Sequence, residues 1–176
     1  MNATPDNRVR RCATPHARGF TLPEALAALA VAALLAVMAV PTLRGMLEGH
    51  RIKTASFELF MTLNYARSEA IKRNAAAGVT LQAGALTDGA WATGWRIVDP
   101  ADATKSLRSW GAINSLSVTE EAGGITSVTY GRDGRLAGGT APRFELTTSP
   151  SISGVKARCV QVDLSGRPAT AEGVCP

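Results

Sequence analysis

The chain has 176 residues, 45% apolar and 19% charged, which suits one ordinary domain and excludes an acidic disordered tail or a low-complexity chain. Its nine aromatics leave little for the core of a large catalytic domain. Of the formal charge of +5, +3 lies in residues 1–19 and +2 in the remaining 157. A basic tail before an apolar run reads as an orientation signal, not as a nucleic-acid patch.

Residues 1–18 hold Arg8, Arg10, Arg11 and Arg18 and no apolar periodicity, so disorder is expected there. From Phe20 to Leu43 the only charge is Glu24, and Ala25–Val40 is apolar without a break. As a helix, the 24 residues from Phe20 to Leu43 would be about 36 Å long, enough for a hydrocarbon core of about 30 Å. The arginines then place the N-terminal flank in the cytoplasm. A secretory signal peptide would have a shorter apolar run, of about 7–15 residues. Neither a signal peptide nor a plain single-span anchor explains Glu24, because a carboxylate at the lip of an apolar helix is costly without a partner.

The cysteines follow the same partition. Cys12 precedes the apolar run, whereas Cys159 and Cys175 follow it. If the run crosses a membrane, Cys12 stays in a reducing space and the other two reach an oxidising one. A Cys159–Cys175 disulfide is the expectation, two free thiols the alternative. With 15 residues between the cysteines, the bond would contribute about 3 kcal/mol by restricting the unfolded chain.

Pro41, Gly45 and Gly49 predict a weak or kinked section. Beyond it, Ile52, Ala55, Leu59, Leu63, Ala66 and Ala70 recur at three- and four-residue steps, the mark of a helix with one apolar face. Arg51, Glu58, Arg67, Glu69, Lys72 and Arg73 belong largely to the other faces. The helix should run to about Asn74 and end before Gly78.

After Gly78, short β-type runs are split by Gly, Asp and Pro. The expected strands are Gly78–Gln82, Gly94–Val98, Leu107–Trp110, Leu116–Thr119, Ser127–Tyr130, Arg143–Thr147 and Lys156–Leu164. Asp133-Gly134 should turn Ser127–Tyr130 back toward Leu136, and Ser165-Gly166 marks a second turn. The fold class is α+β: a long N-terminal helix, half membrane stem and half amphipathic, packed on a small antiparallel β domain. Trp91, Trp95 and Trp110 are expected to complete its core, rather than to stack on bases or a partner.

Catalysis finds no support. His16 and His50 are the only histidines, and no HExxH, GxSxG, P-loop or CxxC occurs. The cysteines are too few and too far apart for a zinc site. Asp99, Asp102, Glu120 and Glu121 read as solvated loop acids. No catalytic residue, metal or cofactor is expected.

The informative string is Arg18-Gly19-Phe20-Thr21-Leu22-Pro23-Glu24 before the apolar helix. It resembles the class III signal of the type IV pilin superfamily: a basic leader, a Gly before the cut, an aromatic first mature residue and a Glu five residues in. Pro41 falls where pilin stems often carry a proline. Pro23 replaces the usual branched apolar residue, and proline is tolerated in a first helical turn. The resemblance implies that prepilin peptidase cuts between Gly19 and Phe20 and methylates the new amine. It implies that Glu24 pairs with the Phe20 ammonium of a neighbouring subunit, where an unpaired carboxylate would be costly.

The rest of the chain is similar to the GspH/FimT group of minor pseudopilins. The resemblance is carried by Leu63–Asn74, Trp91, Gly94-Trp95, Tyr130–Arg135, Arg158-Cys159-Val160, Gly166-Arg167 and Cys175. It implies a helix against two antiparallel sheets. It divides the chain into a cleaved leader (1–19), a stem helix (20–50) and a periplasmic domain (51–176), the last with a helix over 51–74 and a β region over 78–176. The implied partners are prepilin peptidase, other pilins in a filament and the inner membrane. GspH-type members belong to type II secretion pseudopili and FimT-type members to type IV pili; the C-terminal cysteine pair around a Gly-Arg turn looks more FimT-like.

A second function follows from the same resemblance. FimT-like pilins can bind double-stranded DNA during natural transformation, through a C-terminal Gly-Arg-x-Arg motif. Here the string is Gly166-Arg167-Pro168-Ala169, without the second arginine. Phosphate affinity grows with each cation that releases counterions. Arg158, Lys156, Arg132 and Arg135 could replace the missing charge if they share a face with Arg167; otherwise these are turn residues with solvated side chains. A third reading is a secreted or anchored β domain with no filament role, whose mature chain would start near Pro41.

Overall fold

The computed structural model describes residues 20–74, 76–84, 90–121 and 124–176, with the side chains of residues 38, 41 and 42 left aside. The basic leader expected to be disordered, with Cys12 and Gly19, lies outside the described residues. The chain forms two compact units, Met1–Val40 and Pro41–Pro176.

Helix α1, Leu22–Arg73, is assigned without a break through Pro41, Gly45 and Gly49. In the first unit its large apolar residues, Leu22, Leu26, Leu29, Leu34, Leu35 and Val37 among them, are exposed. Among the described residues no helix is long and apolar enough to cross a membrane. The apolar run of the sequence, Ala25–Val40, passes through Met38, whose side chain is one of those left aside.

The second unit is built on the other half of α1. Ile52, Ala55, Leu59, Leu63, Ala66 and Ala70 are all buried, as their spacing predicts. Two four-stranded antiparallel sheets share this core. The first contains β1 (Val79–Ala83), β2 (Trp95–Asp99), β3 (Asp102–Trp110) and β5 (Ser127–Tyr130), in the order β3-β2-β1-β5. The second contains β4 (Leu116–Glu120), β6 (Arg143–Thr148), β7 (Arg158–Val162) and β8 (Pro168–Glu172), in the order β4-β6-β7-β8.

Alternation decides which side chains enter the core. Val79, Leu81 and Ala83 of β1 face inward, as do Trp95 and Ile97 of β2, Phe144 and Leu146 of β6, and Val160 and Val162 of β7. Burying each of the valine, leucine, isoleucine and phenylalanine side chains among them contributes about 1.5–3 kcal/mol. The tryptophans complete the core, and two of them satisfy their polar ends inside it. Trp91, in a 3-10 turn at Trp91–Thr93, packs edge-on against Phe144 at 4.7 Å and donates to the Ile125 carbonyl at 2.7 Å. Trp95 donates to Thr62 Oγ1 on α1 at 3.2 Å. Trp110, half-buried, stacks on Trp95 at 6.4 Å.

Three local expectations change. Lys156–Leu164 is not one strand: β7 ends at Val162, Asp163–Arg167 makes a turn, and β8 returns beside β7. Leu107–Trp110 is only the end of β3, which starts at Asp102 and shifts register twice against β2. Both β3 and the unforeseen β8 are outer, largely exposed strands. Neither has the buried alternation by which a strand is read, and Pro168 sits at the strand start, where its missing donor does least harm. Glu69, expected on a face other than the apolar one, is buried. It bonds Arg73 Nε at 2.7 Å, and Lys72 lies at 3.7 Å. The Arg73 bond is the main reason its carboxyl is held below the usual glutamate range.

Candidate functional site

Two parts of the chain carry the residues singled out by sequence. The first is the start of α1. Phe20 is 85% exposed, and the helix begins two residues later. The Thr21 carbonyl accepts from Ala25 N at 3.0 Å, making Thr21 the cap of the helix. Thr21 N in turn donates to Glu24 Oε2 at 3.5 Å. Thr-x-x-Glu with this return bond is the glutamate half of a capping box, and it sets the carboxylate against the positive end of the helix dipole. The spacing of Thr21 and Glu24 carries that signal. It goes unread when the string is taken only as a processing signal.

The second part is a pair of turns. In the first, Gly131 N donates to the Arg135 carbonyl at 2.8 Å, Gly134 N to the Gly131 carbonyl at 2.8 Å, and Arg135 N to Asp133 Oδ1 at 3.0 Å. The turn returns the chain so that Tyr130 pairs with Leu136. In the second, Gly166 N donates to the Asp163 carbonyl at 2.8 Å and Arg167 N to Asp163 Oδ1 at 2.9 Å. The Ser165 hydroxyl donates to the same carboxylate oxygen at 2.6 Å. That bond is the leading reason the Asp163 carboxyl lies below its usual range, followed by the Arg167 amide.

The two turns touch. Gly134 and Gly166 have φ of +75° and +79°, and a Cβ on Gly166 would stand 2.0 Å from the Gly134 carbonyl oxygen. Arg67 of α1 donates from Nε to that same carbonyl at 3.0 Å. A helix side chain thus ties down one turn, and that turn seats the other. Beneath them the Tyr130 ring is fully buried, and burial pushes its hydroxyl above the usual tyrosine range.

This contact sorts the candidate cations into two groups. Arg132, Arg135 and Arg167 are exposed on the two joined turns, with Asp133 and Asp163 among them. Lys156 and Arg158 lie at the opposite end of β7 from Arg167. There Lys156 pairs with Glu172 at 2.5 Å and Arg158 approaches it at 3.7 Å. The Lys156 bond holds the Glu172 carboxyl low. These two cations already have an acidic partner. On the same sheet Cys159 and Cys175 are joined by a disulfide, with Cα atoms 5.0 Å apart.

The comparisons with known proteins fall on the same parts. The family model described as type II transport protein GspH matches residues 55–166, and the prokaryotic N-terminal methylation motif matches residues 14–40. Among solved structures, the chain is similar to the type IV minor pilin FimU of Pseudomonas aeruginosa in two crystal forms. In one the TM-score is 0.58 at 24% identity, covering 70% of this chain and 90% of that one. In the other it is 0.56 at 25% identity, covering 68% and 91%. No curated protein matches the sequence.

A helix on two antiparallel sheets, with a methylation motif running into its first part, defines a minor pilin or pseudopilin, a structural subunit and not an enzyme. The chain belongs to the GspH family of type II transport proteins.

Proposed function

We propose that this chain is a minor pilin of a type IV pilus, anchored in the inner membrane with its N-terminus in the cytoplasm and its domain in the periplasm. Prepilin peptidase cuts between Gly19 and Phe20 and methylates Phe20. The mature stem starts at residue 20, and Glu24 pairs with the Phe20 ammonium of a neighbouring subunit. The section around Pro41, Gly45 and Gly49 lets the stem bend as it packs. The methylation motif over residues 14–40, ahead of the family match over residues 55–166, carries this reading. The likeness to FimU and the cysteine pair that brackets the Gly-Arg turn in the sequence favour a pilus over a secretion pseudopilus. The mature N-terminus is the test. Mass spectrometry of the chain purified from membranes should find N-methylated Phe20. A start near Pro41 would mean ordinary signal peptidase and would overturn the assignment.

One observation favours a second reading, a minor pilin that binds duplex DNA during uptake. The Gly134–Gly166 contact gathers Arg132, Arg135 and Arg167 despite the missing second arginine. The expected result is weak, salt-sensitive binding. Arg167→Ala should lower the slope of log affinity against log salt by about 1. Absence of binding at low salt would leave the Gly-Arg turn a folding role only.

A further inference from the structure

The turns of α1 that follow Pro41 line a recess that neither reading above uses. Gly45 and Gly49 form its floor, and Lys53 follows at the next step of four, so the three share one face of the helix. A Cβ on Gly49 would meet nothing within 4 Å, and one on Gly45 only Val155 Cγ2 at 4.0 Å. The two glycines thus leave open the space that side chains there would fill. The facing wall comes from the second sheet: Lys156 just before β7, Arg158 at its start and Glu172 at the end of β8. The recess holds about 220 Å³. That is below the ~300–1,000 Å³ of pockets for drug-sized ligands, so it suits a phosphate and the first carbons attached to it.

Charge decides what the recess takes. Among the described residues that line it, three cations (Lys53, Lys156 and Arg158) face one acid, Glu172, which leaves a net charge of +2. Lys156 Nζ lies 2.5 Å from Glu172 Oε1 and Arg158 Nη2 lies 3.7 Å from Oε2, so these cations converge on one point. Lys53 is exposed and makes no ion pair among the described residues. The Lys156 bond leads in holding the Glu172 carboxyl low, and the charges of Arg158 and then Lys53 add to it. A phosphate diester beside Glu172 would take up one of the two remaining charges. Its oxygens would give acceptors to Lys53 and to the guanidinium fork of Arg158.

The sequence supplies the source of that phosphate. Gly45 and Gly49 lie two and six residues past Leu43, where the apolar run ends, or about 3 and 9 Å along a helix. The headgroup region beside a hydrocarbon core is about 5–8 Å deep on each side. Met46, 59% exposed and three residues before Gly49, offers apolar surface to the top of an acyl chain. We propose that the recess binds the headgroup phosphate of an anionic phospholipid, held by Lys53, Lys156 and Arg158 over the bare helix surface at Gly49. The donor set fits any phosphate ester. The choice of a lipid rests on the membrane-anchored reading above.

The test uses the full chain in micelles of an uncharged detergent, titrated with dihexanoyl phosphatidylglycerol and followed by the amide NMR signals of Gly49 and Gly154. Both signals should shift and saturate. Lys53→Gln and Lys156→Gln should each weaken binding about fivefold, the worth of one charge beside an anionic lipid, and Glu172→Gln should tighten it about fivefold. Arg44→Gln removes an exposed cation near the apolar run but outside the recess, and should change binding no more than about 1.5-fold. Gly49→Leu should abolish the Gly154 shift without lowering Tm, because leucine fills the recess and is the better helix former. An unsaturable shift overturns the proposal. So does binding that survives Gly49→Leu, or that Arg44→Gln weakens as much as Lys53→Gln does, since either means loose attraction of charge. Inorganic phosphate and glycerol 3-phosphate form the second arm. If either binds as tightly as the lipid, the site belongs to a free phosphate and the lipid assignment falls. Alkaline extraction of membranes keeps the two readings apart. A chain released into the aqueous phase that still gives the saturable, Gly49→Leu-sensitive shift keeps the recess and loses the membrane anchor.

Discussion

Gly166→Ala is expected to cost about 3 kcal/mol and to lower Tm by about 10 °C, whereas Gly138→Ala should move Tm by no more than about 2 °C. The cost has two sources. A residue with a Cβ in the left-handed region loses about 1–2 kcal/mol, and Gly166 sits at φ +79°. The new methyl group would also stand 2.0 Å from the Gly134 carbonyl oxygen, a backbone atom already held by Arg67 and unable to swing aside. Overpacking of this kind costs about 1–3 kcal/mol. Gly138 has nothing within 4 Å of its Cβ direction, so it controls for the substitution itself. Thermal melts of the two variants, with the disulfide intact, make the comparison. Equal Tm values would mean that the two turns separate at little cost. The first residue of the Gly-Arg string would then have no structural role.

The inward half of this domain was legible because burial writes itself into spacing. Six apolar positions on α1 and the alternation in β1, β2, β6 and β7 identify themselves, since a residue facing the core must be apolar whatever its neighbours are. Of the outer strands, Leu116–Glu120 and Ser127–Tyr130 keep buried positions and were read, whereas the largely exposed β8 and the first half of β3 escaped for the converse reason. Asp102–Ser106 and Pro168–Glu172 are held by backbone pairing to an inner strand, and their side chains are free to be polar. Of the candidate site, the residue types could be read but not their grouping. Gly134 and Gly166 are far apart in the chain, and nothing in either turn records that it seats the other. Neither does anything in the sequence of Lys156 and Arg158 show that Glu172 takes up their charge. Arg67 reads as one more solvated helix cation, and only the fold puts its Nε on the Gly134 carbonyl.

Glu24→Ala should leave cleavage and methylation at Phe20 in place and cut the amount of this subunit in sheared filaments about tenfold or more. A carboxylate among apolar stems is stable only with a cationic partner, and losing such a pair costs about 3–5 kcal/mol; half of that already gives a tenfold change. The capping geometry offers a rival cause. Glu24 also accepts from Thr21 N and steadies the first turn of α1, and losing a cap costs only about 0.5–2 kcal/mol. Glu24→Gln separates the two. Its side-chain oxygen can still accept from Thr21, but it has no charge to offer a neighbour's ammonium. If pairing with the Phe20 ammonium drives assembly, Gln should fail as badly as Ala. If the cap is what matters, Gln should enter filaments as the unaltered chain does. The amounts of each variant in sheared filaments, set against the amounts of methylated Phe20 in membranes, decide between them. Equal filament entry by all three chains would remove Glu24 from assembly altogether and leave it as the cap of a helix.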